Sequence, residues 1–186
     1  ETINFNLDIA APHVSSGRDV RSDLGLLADS GYGQGELLIT PLQLASTFSM
    51  FANNGSIMNP YIVRSFNKTV DGALVPEEET EPSVWKSNLI TQQSLSVINP
   101  MLNDVVSVGS GYSVRVSGTT IAGKTGTAQV GGERENTWFI GFVNDGSADL
   151  LVCVMLDTPE NQGAPRMQMA REIFEYCLQD DEEAGE

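Results

Sequence analysis

The sequence predicts an α/β fold of the α+β type, an antiparallel sheet flanked by helices, and three observations carry that expectation. Three segments rich in β-branched and aromatic residues, IAGKTGTAQV, NTWFIGFVN and DLLVCVMLDTP, follow one another between residues 121 and 159, separated by glycine-rich or polar turns. Upstream, Thr40-Pro41 opens a helical pattern. Downstream, an amphipathic helix runs from about Met167 to Leu178.

Residues 1–35 read as loop, with Pro12, Ser15, Ser16 and Gly17 leading to SGYGQGE from Ser30 to Glu36, where glycine falls at 31, 33 and 35. Thr40 then caps free N–H groups, Pro41 suits the first helical position, and Leu44, Phe48, Phe51 and Ala52 recur at helical spacing. Asn53-Asn54-Gly55 ends that helix. Residues 57–70 read as extended chain, and DGALVPEEETEP after them as a turn into an acidic loop, with Glu77, Glu78, Glu79 and Glu81 a solvated run.

Leu89, Ile90, Leu95, Val97, Ile98, Met101 and Leu102 predict a helix within residues 89–106, interrupted or kinked at Pro100. Gly109-Ser110-Gly111 precedes the three strands. In the last helix Ala170, Ile173, Phe174 and Cys177 form the apolar stripe, and residues 179–186 read as a disordered acidic tail.

The 186 residues carry 10 Lys+Arg against 25 Asp+Glu, a net charge of −15 that argues against a nucleic-acid partner. With 40% hydrophobic residues and no run approaching the roughly 18 apolar residues of a bilayer span, the composition is that of a soluble globular domain. TINFNLDIAAP has neither a basic start nor an apolar stretch, so no signal peptide is expected there, and the chain reads as beginning mid-domain. Two cysteines, Cys153 and Cys177, are too few for a disulfide framework and read as buried small hydrophobes. Whether they pair stays open. His13 has no neighbouring second ligand and receives no role, and no metal or cofactor is expected.

Residues 118–125, GTTIAGKT, match the GxxxxGK[ST] phosphate-binding pattern, and LLVCVMLD ending at Asp157 imitates the strand and acid of a magnesium site. A phosphate cradle needs a helix starting directly after the lysine. GTAQVGGERENTWFIGFV follows instead, with four glycines and no helical stripe, so a nucleotide-binding role is a weak alternative.

The same residues read forward give Lys124-Thr125-Gly126-Thr127 on a strand, beside Trp138-Phe139-Ile140-Gly141-Phe142 on the next. A KTG element on a strand edge is one of three motifs of penicillin-binding proteins and class A β-lactamases. With residues 31–63, GYGQGELLITPLQLASTFSMFANNGSIMNPYIV, and with IAGKTGTAQVG and NTWFIGFVN in the same order, the chain resembles the C-terminal half of a penicillin-binding protein transpeptidase domain over nearly its whole length.

The resemblance implies a β-lactamase/transpeptidase-like fold, incomplete in this chain, and a peptidoglycan D,D-transpeptidase that works by serine acyl transfer and binds β-lactams. Such a site needs a nucleophile, a proton acceptor, an oxyanion hole and a seat for the substrate's anionic end. It assigns Lys124 and Thr127 catalytic roles, through a fixed positive charge and an oxyanion-binding N–H. Thr125, Gly126, Thr127, Ala128 and Gln129 would bind the stem peptide, the threonine hydroxyls donating to its terminal carboxylate and Gly126 leaving room for its backbone.

The family's SxxK and SxN elements belong upstream of GYGQGE, and neither is there. Ser83-Val84-Trp85-Lys86 and Ser65-Phe66-Asn67 match the two patterns, but downstream and in reversed order, and read as chance. The chain is therefore expected to be part of a longer, membrane-anchored, extracytoplasmic enzyme, inactive alone and marginally stable or self-associating. Its implied partners are stem peptide, β-lactam antibiotics and other cell-wall synthesis proteins, with the membrane reached only through an upstream anchor. Carboxypeptidase, β-lactamase or β-lactam sensor, and a nonenzymatic binding module stay open as alternatives.

Overall fold

In the computed structural model three of the described α-helices begin where a side chain satisfies an orphan N–H group of the first turn. The structure describes residues 5, 8–15, 17, 19–147, 149–161 and 165–183. Helix α1 spans Leu24–Gly31, with the Asp23 carboxylate accepting from the Leu26 N–H. This short helix lies in the stretch expected to be loop. Only Leu26 of its three leucines is buried, so no apolar stripe marks it in sequence. Helix α2, Pro41–Ala52, has the expected Thr40 start, completed by Gln43 into a reciprocal capping box.

At the end of α2 the chain turns through Asn54 and Gly55, both at positive φ. Strands β1, Ile57–Met58, and β4, Val84–Lys86, pair antiparallel. Between them β2, Ser65–Val70, and β3, Ala73–Glu79, form a hairpin. Its turn residues, Asp71 and Gly72, both have positive φ, the conformation that matches the twist of paired strands. Here the expectation of an acidic loop is corrected: Glu77, Glu78 and Glu79 lie on β3. Every residue of β3 is exposed, so the alternation that normally reveals a strand is missing.

Helix α3, Gln92–Ser107, is capped by Thr91 and runs through Pro100 without interruption. Burial of Leu95 before the proline and of Leu102 and Val106 after it holds the helix together across the missing N–H. A single 3-10 turn over Tyr112–Val114 leads to the main sheet. There β5, Ile121–Gly131, β6, Arg134–Val143, and β7, Leu151–Pro159, stand in the order β5-β6-β7, all antiparallel, as expected. Helix α4, Arg166–Glu183, closes the described chain and extends past Leu178; residues 184–186 of the expected tail lie outside the described residues.

The period-two alternation of β5 to β7 divides the core into two layers. On one face Ile121, Phe139, Val143, Val152 and Val154 pack with Ala170 and Phe174 of α4. On the other Ala122, Ile140 and Phe142 pack with Phe48 of α2 and Leu102 of α3. The α4 stripe is Ala170 and Phe174 with Met167 and Leu178 beside them, whereas Ile173 is 40% exposed. Cys153 and Cys177 are half-buried and unpaired. Among the described residues, no helix is long and apolar enough to cross a membrane.

Candidate functional site

Lys124 to Thr127 occupy the middle of β5, which among the described residues is an edge strand with β6 on one side only. In an antiparallel ladder the N–H and C=O of one residue point to the same side. The Thr120 carbonyl accepts from the Asn144 N–H at 2.7 Å, so even-numbered positions face β6. Thr125 and Thr127 therefore turn their main-chain groups to the open edge. Two side-chain contacts agree with this: Lys124 Nζ donates to the Thr125 carbonyl at 2.7 Å, and Gln34 Nε2 to the Thr127 carbonyl at 3.1 Å.

Side chains follow the same alternation. Lys124 stands opposite Ile140 and Gly126 opposite Trp138, on the α2 face; Thr125 stands opposite Phe139 and Thr127 opposite Thr137, on the α4 face. Lys124 is exposed and pairs with no carboxylate among the described residues. In a protein of net charge −15, this leaves a local positive charge unneutralised at the edge. Ala128 and Gln129 continue the strand opposite Asn136 and Glu135, the first half-buried and the second exposed, before the register shifts ahead of Gly131.

The three glycines nearest the site differ in what requires them. A Cβ at Gly123 would come within 2.7 Å of the Ile140 carbonyl oxygen and 2.9 Å of the Phe139 ring, and one at Gly141 within 2.9 Å of the same ring. That pair makes room for Phe139, which is fully buried. At Gly126 an added Cβ would meet only Trp138, at an ordinary 3.5 Å. The protein's own packing does not explain that glycine.

The strand is anchored from elsewhere at its start and in its middle. At the start, Asp145 in the β6–β7 connection accepts from the Thr120 N–H, from the Thr119 hydroxyl at 3.0 Å, and from the Ser147 N–H at 3.0 Å and hydroxyl at 2.6 Å. Those donors, Ser147 foremost, hold its carboxyl well below the usual carboxylate range. In the middle, Ser110 Oγ lies 2.8 Å from Thr125 Oγ1. Sequence reasoning assigned no role to Ser110 or Gln34, although the glycine-rich segments containing them stood out.

The two decoy motifs do not build sites. Val84–Lys86 is a strand, so Ser83 and Lys86 are not stacked one helical turn apart on a common face. Ser65-Phe66-Asn67 lies at the start of β2. After Lys124 the chain continues as strand to Gly131, so no helix N-terminus faces a phosphate at residues 118–125. No group of three or more His, Cys, Asp or Glu side chains that could hold a metal ion occurs among the described residues.

The chain is similar over most of its length to several known proteins. Penicillin-binding protein 3 of Bacillus subtilis is 34% identical over 146 residues, covering 74% of this chain and 20% of the relative. Peptidoglycan D,D-transpeptidase MrdA of Acinetobacter baumannii is 29% identical over 161 residues, 78% of this chain and 23% of the relative. The chain thus spans about a fifth of the length of these relatives. Penicillin-binding protein A of M. tuberculosis, solved as an imipenem acyl-enzyme complex, superposes with a TM-score of 0.74 at 25% identity, covering 92% of this chain and 37% of that one. Penicillin-binding protein 2B of Streptococcus pneumoniae shares the fold, with a TM-score of 0.74 at 18% identity over 96% of this chain and 29% of that one. Residues 3–175 match the family described as the penicillin binding protein transpeptidase domain. With this match spanning nearly the whole chain, the chain belongs to the penicillin-binding protein transpeptidase family.

Proposed function

We propose that this chain supplies the substrate-seating edge of a peptidoglycan D,D-transpeptidase, which cross-links stem peptides by serine acyl transfer and is acylated by β-lactams. The observation that carries the reading is the pairing of an unneutralised Lys124 with an open edge along which the Thr125 and Thr127 main-chain groups point outward. An extended peptide ending in a carboxylate fits such an edge by adding as a strand, its anionic end near the ammonium. The Thr125 and Thr127 hydroxyls donate to that carboxylate, and Gly126 leaves space for the ligand's main chain.

In this reading the Thr127 N–H points where the scissile carbonyl oxygen develops negative charge. A preorganised donor there stabilises the tetrahedral intermediate, and losing one such donor typically lowers the rate by roughly 10²–10³. Ala128 and Gln129 flank the same edge and bound the seat beyond Thr127. The nucleophilic serine and its base come from residues outside this chain, so this polypeptide alone forms no acyl-enzyme. The whole enzyme acts outside the cytoplasmic membrane, held there by a segment other than those described, and meets cell-wall synthesis partners there.

The test is labelling of the full-length protein with a fluorescent penicillin. A covalent, saturable adduct is expected, and its absence overturns the reading in favour of a nonenzymatic binding module. Rapid turnover of the adduct would point instead to a β-lactamase. Lys124→Ala in the full-length protein should slow acylation by roughly tenfold or more, the scale of a lost charge-assisted hydrogen bond, while the melting temperature stays put. Unchanged acylation would remove Lys124 from the site.

A further inference from the structure

Ser110 sits between two glycines that local packing requires. A Cβ at Gly109 would stand 2.9 Å from the Val105 Cα and 3.0 Å from its carbonyl oxygen, and one at Gly111 would stand 3.0 Å from that same oxygen. The Gly111 N–H donates to the Val105 carbonyl at 2.8 Å. The chain leaving α3 is therefore folded back on the helix's last turn, and α3 itself packs against β5. A loop held this closely delivers its hydroxyl to a defined place, 2.8 Å from Thr125 Oγ1.

We propose that Ser110 is a positioning residue for Thr125: its hydroxyl donates to Thr125 Oγ1 and thereby turns the Thr125 proton toward a bound carboxylate. The inference rests on the reading above, in which Thr125 donates to the ligand's anionic end. Each hydroxyl has one proton to give and two lone pairs to accept with. Without ligand, either partner can be the donor. A carboxylate has only lone pairs, so it demands the Thr125 proton, and Ser110 must then be the donor behind it. The relay from Ser110 through Thr125 to the anion aligns two dipoles in series, and each bond strengthens the other. Without Ser110 the Thr125 hydroxyl loses the partner that fixes its direction, and part of the site's preorganisation is lost.

Second-order acylation rates with benzylpenicillin, measured on the full-length protein, test this through a double-mutant cycle. Ser110→Ala should lower the rate about 3- to 10-fold, the scale of one lost neutral hydrogen bond, and Ser110→Thr should restore it to within about twofold. On a Thr125→Ala background, Ser110→Ala should add no further loss, because the residue it acts through is already gone. Melting temperatures should be the same across the series. An unchanged rate in Ser110→Ala overturns the inference, and so does a loss that persists undiminished on the Thr125→Ala background. If the wild-type protein itself is not acylated, the transpeptidase reading fails and carries this inference with it. That outcome is read from the wild-type arm alone.

Discussion

Gln34 Nε2 donates to the Thr127 carbonyl oxygen across 3.1 Å, joining residues 93 apart in the sequence at the open edge of β5. The contact is solvent-exposed, so its net worth is about 1 kcal/mol or less, and an incoming strand displaces it easily. Gln34 therefore occupies the edge acceptor only while nothing else does.

Gln34→Ala should release the segment around Gly33 to Glu36 from the sheet without loosening the sheet itself. Amide hydrogen exchange checks this: faster exchange at residues 33–36 is expected, with β6 unchanged. Unaltered exchange in that segment would show that its other contacts, the His13–Leu38 bridge and the Gln34 N–H to Asp29 carbonyl bond among them, hold it.

Gly123 and Gly126 stand three residues apart and should respond in opposite ways to the same methyl group. Gly123→Ala forces the Phe139 ring or the Ile140 carbonyl to move and should destabilise the fold by about 1–3 kcal/mol, read as a lower melting temperature. Gly126→Ala meets only Trp138 at ordinary contact distance and should leave the melt nearly unchanged. Its effect should appear in penicillin acylation of the full-length protein, slowed about tenfold or more if ligand backbone lies against this position. A normal rate in Gly126→Ala would place the ligand elsewhere.

Most of what was legible in the sequence rests on local signals. Thr40 and Pro41 write the start of α2 in two residues, and the segments of β5, β6 and β7 alternate or run apolar between clear turns. Helix α1 escaped because its cap, Asp23, introduces no apolar repeat. The β3 strand escaped because both of its faces meet water, which removes the contrast that burial creates. Pro100 misled because a local penalty was judged without the packing that outweighs it. The lysine and threonines of the site could be read as a motif. The Gln34 and Ser110 contacts could not, since each depends on where distant segments meet in the folded chain.

Asp145 should make stability depend on acidity. Its donors lower its folded-state pKa beneath the ordinary value of about 3.9, so its contribution is present above that pH and is lost as pH falls through the folded value. Asp145→Asn should lower the melting temperature near neutrality, by no more than about 4 °C because the group is exposed to solvent. The gap between wild type and variant should close progressively below about pH 4. A gap that stays constant down to pH 2 would show that the carboxylate charge contributes nothing.

Burial pushes the Cys153 thiol up to about 11. At pH 8 only about one molecule in a thousand then carries the reactive thiolate. Iodoacetamide should modify Cys153 in the folded protein at least about 100-fold more slowly than in urea, as followed by peptide mass spectrometry. Equal rates would mean that the sheet opens on the labelling timescale.

Among the described residues the main sheet has two unpaired margins, and they are not equivalent. β5 carries the lysine and the side-chain clasps, whereas β7 lies two strands away, roughly 10 Å across the sheet at ordinary strand spacing. A polypeptide docking along β7 would widen the sheet without crowding Lys124 or Thr127. Room for the sheet to widen and the lysine-bearing edge are thus segregated to opposite flanks.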